Sequence, residues 1–337
     1  MNIEYAVKTM LSDFQVNEVQ NLYLSGGEYS VYYLYKMGLR TWECIDIIAK
    51  RLNICTEKIS YAGLKDEDGV TGQFIAIYNE VIDKLDYKVS DNKQFYIRYI
   101  GRQHNPFRIG DLVGNSFHIK IRNLLPEFST CRKNKIDFKF INYYDTQRFG
   151  IPGHKKVTHL IGKSILEQDY EKAFDYLTMS GSIDHNEINE YKNAEKQYFC
   201  SIHNSVFNFY LSAYDAYIWN IQIADILNAN NDVLVEYEKD GFKYIVSTLA
   251  GVESYECCIP IVRHERVANK EINTRESTRF MYQNIICKFS DSVPDDLYAG
   301  KNMLDVDFFL PPGCYATTVI DQLIFKIYYM IDATNNG

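Results

Sequence analysis

Apolar and polar side chains alternate with a period of two at residues 13–19 and, most cleanly, at 117–122, whereas from about residue 155 the apolar positions follow helical spacing. A period of two places successive side chains on opposite faces of a strand, and a period near 3.6 collects them on one face of a helix. A chain that changes period in this way is neither all-helical nor all-strand. It reads as strands in the early segments followed by helices from about residue 155.

The strand patterns also say which side chains share a face. Asp13-Phe14-Gln15-Val16-Asn17-Glu18-Val19 sets Phe14, Val16 and Glu18 on one side. A carboxylate on an apolar face needs a cation or hydrogen-bond donors, unless Glu18 lies exposed at the strand's end. After the turn Ser25-Gly26-Gly27, Tyr29 to Tyr35 reads as a second strand. Thr41 then reads as the N-cap of a helix whose apolar positions are Trp42, Ile45, Ile48, Ala49 and Leu52. Ile59 to Gly63 leads into the polar loop Lys65-Asp66-Glu67-Asp68-Gly69, and Val70 to Ile77 resumes a strand. Loops between strands are where a rigid scaffold commonly presents reactive groups. Phe117, Ile119 and Ile121 alternate with His118, Lys120 and Arg122, one face apolar and the other basic. Helices are expected at His159–Leu166, Tyr170–Leu177, Phe207–Leu227 and about 316–331, with strand character at Asp307–Leu310 before a Pro311-Pro312-Gly313 turn.

At 337 residues the chain exceeds the size at which one hydrophobic core usually stops growing, so two domains, or equally one domain with a large insertion, are expected. No stretch approaches ~20 consecutive apolar residues, and Met1 to Phe14 lacks a basic segment followed by an apolar one. A cytoplasmic protein without membrane contact is the expectation. The eight cysteines fall at 44, 55, 131, 200, 257, 258, 287 and 314 with no CxxC, and no His pair has zinc-ligand spacing. Free, mostly buried thiols and no metal site follow. A net charge of −8 argues against nonspecific coating of nucleic acid, which needs Lys and Arg against phosphate. It leaves room for a local basic strip, for which Arg132, Lys133, Lys135 and Lys139 with Lys155 and Lys156 are candidates. Gly162-Lys163-Ser164 looks like the end of a P-loop, but Val157 stands where the leading glycine belongs. His104, His118 and His154 have no Ser or Cys partner in a recognisable triad, which leaves a hydrolase unsupported.

The string Gly63-Leu64-Lys65-Asp66-Glu67-Asp68-Gly69-Val70-Thr71-Gly72-Gln73 closely resembles the signature of the TruD family of pseudouridine synthases. Four more segments resemble that family in the same order. They are Asp13 to Glu18, Phe107 to Phe117, Asn142-Tyr143-Tyr144-Asp145-Thr146-Gln147-Arg148-Phe149-Gly150, and Leu310-Pro311-Pro312-Gly313-Cys314-Tyr315-Ala316-Thr317. A weaker echo spans Ala213 to Asn220. Glu67 and Asp68 stand where the family often carries basic residues, Gly69 where it has Ala, and Asp145-Thr146 where it has Gly-Glu.

The resemblance implies an α+β fold, with a pseudouridine-synthase-like catalytic domain of 1–151 and 288–337 built on a mixed, mainly antiparallel sheet with helices, and a TRUD-type α/β domain inserted as 152–287. It implies isomerisation of uridine to pseudouridine in RNA, most typically transfer RNA at uridine thirteen, by a monomer that needs no metal or organic cofactor. Asp66 would be the catalytic carboxylate, acting as nucleophile or as base. Lys65 and Glu18 would support it, and Asn115, Phe117 and Tyr315 would bind the extruded base. A synthase of other RNAs and a TruD-like protein that only binds RNA are the alternatives. A small-molecule nucleoside enzyme would need neither the insert nor the basic strip.

Overall fold

The computed structural model of the protein describes residues 4–130, 134–151, 153–229, 234–247, 258–268 and 270–335, so Arg132 and Lys133 of the basic run lie outside the described residues. The chain divides into two compact units. One comprises 3–138, 285–316 and 330–337, the other 1–2, 139–284 and 317–329.

In chain order the strands are β1 (Phe14–Val19), β2 (Tyr29–Met37), β3 (Ile59–Tyr61), β4 (Val70–Tyr78), β5 (Lys84–Ser90), β6 (Lys93–Gln103), β7 (Gly114–Leu124) and β8 (Lys135–Ile141). They continue as β9 (Leu234–Lys239), β10 (Phe242–Ser247), β11 (Cys258–Arg266), β12 (Ile272–Phe280), β13 (Tyr282–Phe289), β14 (Val293–Pro294) and β15 (Asn302–Leu310). The helices are α1 (Thr41–Leu52), α2 (Thr158–Leu166), α3 (Tyr170–Met179), α4 (His185–Tyr191), α5 (Glu195–Ser201), α6 (Asn204–Ala229) and α7 (Ala316–Asn335).

The first unit is built on a sheet of order β5-β6-β2-β4-β1-β7-β15-β13-β8, with β3 beside β4 and β14 beside β15. Among its described pairings only β1 and β4 run parallel. This is the α+β, mainly antiparallel sheet that the resemblance implies. α1 lies against it, packing Cys44, Ile45 and Ile48 on Tyr32, Leu34, Ile75, Ile77, Phe95 and Ile97. Each such side chain contributes ~1.5–3 kcal/mol when fully buried, which anchors the helix. Two details of α1 differ from expectation. Its N-cap is Arg40, whose backbone N–H donates to Glu43, because the Thr41 hydroxyl is used elsewhere. Trp42 is 49% exposed, since the buried stripe runs through Thr41, Cys44, Ile45, Ile48 and Ala49 and leaves it to one side.

β7 pairs with β1 on one side and β15 on the other, bringing Glu18 and Leu310 level with Asn115, and Val16 and Phe308 level with Phe117. Its opposite face carries the basic residues, and these meet carboxylates. His118 lies 2.8 Å from Asp307 and Lys120 3.7 Å from Asp305, while Arg122 is enclosed by Asp13, Asp295 and Asp296. A pattern on one strand cannot reveal the charges its neighbours supply.

The second unit contains α2 to α6, the hairpins β9–β10 and β11–β12, and residues 317–329 of α7. Ile161, Ile165, Phe174, Leu177, Phe199 and Leu211 form a core shared by its helices. The Gly-Lys-Ser string lies inside α2, where a Cβ on Gly162 would come within 2.1 Å of the Tyr210 carbonyl oxygen of α6. That glycine permits close helix packing. The Asn142–Gly150 segment is spent on cohesion within this unit. Trp219 donates to the Asn142 carbonyl at 3.0 Å, and the Asn220 amide exchanges two hydrogen bonds with the Tyr144 backbone at 2.8 and 2.9 Å. Asp145 accepts from Lys239, Thr317 and the Gln147 N–H; burial pushes its carboxyl up, but these partners outweigh it and hold it below the usual range. The two motif segments at 142–150 and 213–220 therefore bind each other.

The six described cysteines form no disulfide, but only Cys44 and Cys287 are buried; Cys55 and Cys200 are exposed and Cys258 and Cys314 intermediate, so thiol burial is less than expected. Among the described residues no helix is long and apolar enough to cross a membrane.

Candidate active site

The loop 62–69 joins β3 to β4, and its backbone groups need partners that the strands do not supply. Side chains from neighbouring elements provide them. The Gln73 amide donates to the Gly63 carbonyl at 3.0 Å, and the Thr41 hydroxyl donates to Gln73 at 2.9 Å while accepting from the Lys65 N–H at 3.1 Å. The Lys36 ammonium donates to the carbonyls of Leu39, Lys65 and Asp66 at 2.8, 3.1 and 2.6 Å. At its ends, Gly110 N–H donates to the Ala62 carbonyl, and Gly69 passes so close to β1 that a Cβ there would lie 2.6 Å from the Phe14 carbonyl oxygen. That approach explains glycine at the position where the resemblance expects alanine.

A loop held this way presents its two adjacent side chains in different directions. Lys65 turns inward and pairs with Glu18 at 2.6 Å, their side chains 6% and 0% exposed. Asp66 turns outward, 51% exposed, and meets the Lys8 ammonium at 2.7 Å. Lys8 also lies 4.1 Å from the centre of the Phe14 ring and has φ +59°, a left-handed conformation uncommon for a residue other than glycine. The ammonium is thus held between a ring face and the exposed carboxylate.

Beside this group, Asn115 stands directly opposite Glu18 in the sheet. Asn115 Oδ1 and Glu18 Oε1 are both buried acceptors that have no hydrogen-bond partner among the described residues. A buried acceptor left unpaired costs about 1–3 kcal/mol, so a ligand carrying N–H donors would be favoured here. Phe117 is buried, stacked at 5.3 Å on Phe308 and edge-on to Phe14 at 6.1 Å. Tyr315 is half-buried in the turn after β15, the strand bonded to β7. Glu67, whose charge the resemblance does not expect, pairs with Arg40 at 2.7 Å on the surface.

Lys65 is thus the cation that Glu18 meets on its apolar strand face, and Lys8, Lys36 and Thr41, which carry no role in the sequence motifs, join the group. Lys36 was detectable, because it shares its strand face with Tyr32 and Leu34 just as Glu18 does with Phe14 and Val16. Lys8 carries no comparable signal, since its partner is 58 residues away.

Chemically, an exposed carboxylate beside an ammonium, with buried acceptors nearby, is suited to nucleophilic or basic attack on a ligand that also offers N–H donors. The family model of tRNA pseudouridine synthase D (TruD) matches residues 2–201. A tRNA pseudouridine synthase D of Sulfurimonas denitrificans is 27% identical across 96% of this chain and 96% of its own. A multisubstrate pseudouridine synthase 7 of Schizosaccharomyces pombe is 34% identical across 45% of this chain and 23% of its own. The crystal structure of a Methanosarcina mazei protein described as TruD shares the fold, with a TM-score of 0.63 at 18% identity over 96% of this chain and 94% of that one. With the family model covering more than half of its length, the chain belongs to the TruD family of tRNA pseudouridine synthases, which are isomerases.

Proposed function

We propose that this protein isomerises uridine to pseudouridine in transfer RNA, at position thirteen, with Asp66 as the carboxylate that acts on the uridine. The observation that carries this reading is the opposed orientation of two neighbouring side chains. Lys65 is buried against Glu18, and Asp66 stands exposed against Lys8.

The reaction breaks an N-glycosidic bond, turns the base and forms a carbon–carbon bond, so the freed base must stay bound throughout. In this reading Asn115 and Glu18 supply acceptors for the imide N–H of uracil, the Lys65–Glu18 pair keeps the loop rigid, and Phe117 and Tyr315 bind the extruded base. The catalytic domain comprises 1–151 and 288–337, and the TRUD-type insert 152–287 grips the folded RNA. The grouping of 3–138 with 285–316 in one unit supports a discontinuous domain, although 139–151 and 317–329 group with the insert rather than with it.

Tyr315→Leu tests the stacking role. Stacking on a base is worth about 1–3 kcal/mol, so turnover should fall by roughly 5- to 150-fold. Melting temperature should barely change. A large fall in melting temperature, with normal turnover in the folded fraction, would make Tyr315 a structural residue.

The similarity to a synthase named as multisubstrate favours a second reading, in which other RNAs are modified as well. Mapping pseudouridine across cellular RNA with and without this protein separates the two. Loss at position thirteen of transfer RNA alone supports the first reading, and additional losses in other RNAs support the second. An unchanged map supports a protein that binds RNA without modifying it.

A further inference from the structure

Lys36 lies near the end of β2 on the face it shares with Tyr32 and Leu34, and it is fully buried. Buried ammonium groups are normally paired with carboxylates, because desolvation of a lone charge is costly. Among the described residues no carboxylate bonds to this one. Its three donors go to three backbone carbonyls, those of Leu39, Lys65 and Asp66. The ionisable groups around it are otherwise occupied. On α1, burial pushes the Cys44 thiol up to about 12, which keeps it neutral. On the loop, Lys65, Asp66 and Glu67 direct their side chains to Glu18, Lys8 and Arg40. An apolar side chain of the same length would fill the space without the desolvation cost. The charge therefore has a use other than packing.

We propose that Lys36 is a positioning residue for the reaction, whose ammonium gathers the carbonyls of Leu39, Lys65 and Asp66 and so fixes the backbone that turns Lys65 inward and Asp66 outward. The inference rests on the reading of Asp66 as the group that acts on uridine. It reaches beyond that reading by assigning the loop's geometry to one buried charge.

A dependence on pH follows. Burial pushes Lys36 down to about 8 from its ordinary 10.5. The protonated form offers three donors to three acceptors. The neutral amine has two donors and a lone pair, which one carbonyl must face. The loop is therefore held below about pH 8 and loosened above it. Stability moves in the opposite direction. The folded-state value lies below that of the unfolded chain, so the unfolded chain binds more protons between about 8 and 10.5, and this group's contribution to stability rises with pH in that window. Loss of rate without loss of fold is the distinguishing signature.

The test uses the full chain as wild type, Lys36→Met and Lys36→Arg. Rates are measured in single turnover with saturating transfer RNA across the pH range, alongside RNA affinity, melting temperature and amide hydrogen exchange of residues 62–69. The wild-type rate should fall above about pH 8 while the protein stays folded. Lys36→Met should lose on the order of 10²-fold in rate at neutral pH, the scale of a misplaced reacting group. It should also lose the alkaline limb, keep its RNA affinity within about threefold, and exchange the loop amides faster. Lys36→Arg, if it folds, should recover part of the rate with no limb, because its cation does not titrate there. A folded Lys36→Met with the wild-type rate and limb would make Lys36 a buried filler and overturn the proposal. The exchange measurement needs no turnover. Faster exchange in Lys36→Met, when even the wild type converts no RNA, sustains the positioning role and rejects Asp66 catalysis. Unchanged exchange alongside active wild type does the reverse.

Discussion

Asp66→Asn should leave RNA bound and the chemistry stopped. The substitution keeps size and shape but removes the charge and most of the nucleophilicity, so the expected loss is at least ~10³-fold, roughly 4 kcal/mol of transition-state stabilisation. Folding should be almost unaffected. The Lys8–Asp66 pair is half-exposed, and pairs of that kind contribute little to stability. The loop itself is held through its backbone by Lys36, Thr41 and Gln73 rather than through the Asp66 side chain. Pseudouridine and uridine have the same mass, so the assay must detect the new bond. Release of label from carbon five of the base, or a carbodiimide-dependent stop to reverse transcription, does so. Near wild-type conversion by the Asn variant would remove Asp66 from the mechanism. RNA binding by the wild type with no product on any RNA would favour the binding-only alternative.

The largest structural effect should come from Arg122→Met. Arg122 binds Asp13 through two nitrogens at 2.8 and 3.0 Å, Asp295 at 3.0 Å, and Asp296. The side chains of Arg122, Asp13 and Asp295 are 3%, 1% and 0% exposed. Burial pushes the Asp295 carboxyl up, but the N–H groups of Asn123, Leu297 and Tyr298 together with Arg122 hold it below the usual carboxylate range. Removing the guanidinium leaves buried carboxylates without their cation, a change that costs about 3–5 kcal/mol. For a unit of this size the melting temperature should fall by on the order of 10 °C. The sign of the pH effect follows from the lowered Asp295 value. In the wild type its stabilisation is present above the unfolded-state value of 3.8 and is lost as pH falls through the lower folded value. In the variant, acid protonates the uncompensated carboxylate and relieves the damage, so the gap between the two proteins should narrow toward low pH. An equal gap at all pH values would mean that lost packing, not stranded charge, is responsible. Because Asp13 also accepts from the Met10 N–H, the variant should disturb the segment that carries Lys8 as well.

Part of the candidate site was legible in the sequence. The alternation at 13–19 put Glu18 on an apolar face and so demanded a cation, and the polar loop between two strands put Lys65 and Asp66 where a cation and an exposed carboxylate occur. The same rule applied to Lys36 on the face of Tyr32 and Leu34 would have flagged a second buried charge. Other features had no such trace. The face of β7 bearing His118, Lys120 and Arg122 reads as basic in sequence, yet Asp305, Asp307 and the aspartates around Arg122 neutralise it from other strands and turns. Thr41 had the character of a helix cap, but a hydroxyl binds whichever group lies nearest in space, and here that is the loop and Gln73.

Periodicity, turn chemistry and motif strings are properties of consecutive residues; the first two fixed the strands and the loop, and the strings carried the resemblance that named the family and made Asp66 the candidate carboxylate. Which charge compensates which is a property of residues far apart in the chain. Lys8 reaching Asp66, Lys36 gathering three carbonyls and Asp13 enclosing Arg122 arise only where β-sheet pairing brings distant segments within hydrogen-bond distance, so the tertiary structure alone decided how the reactive loop is held.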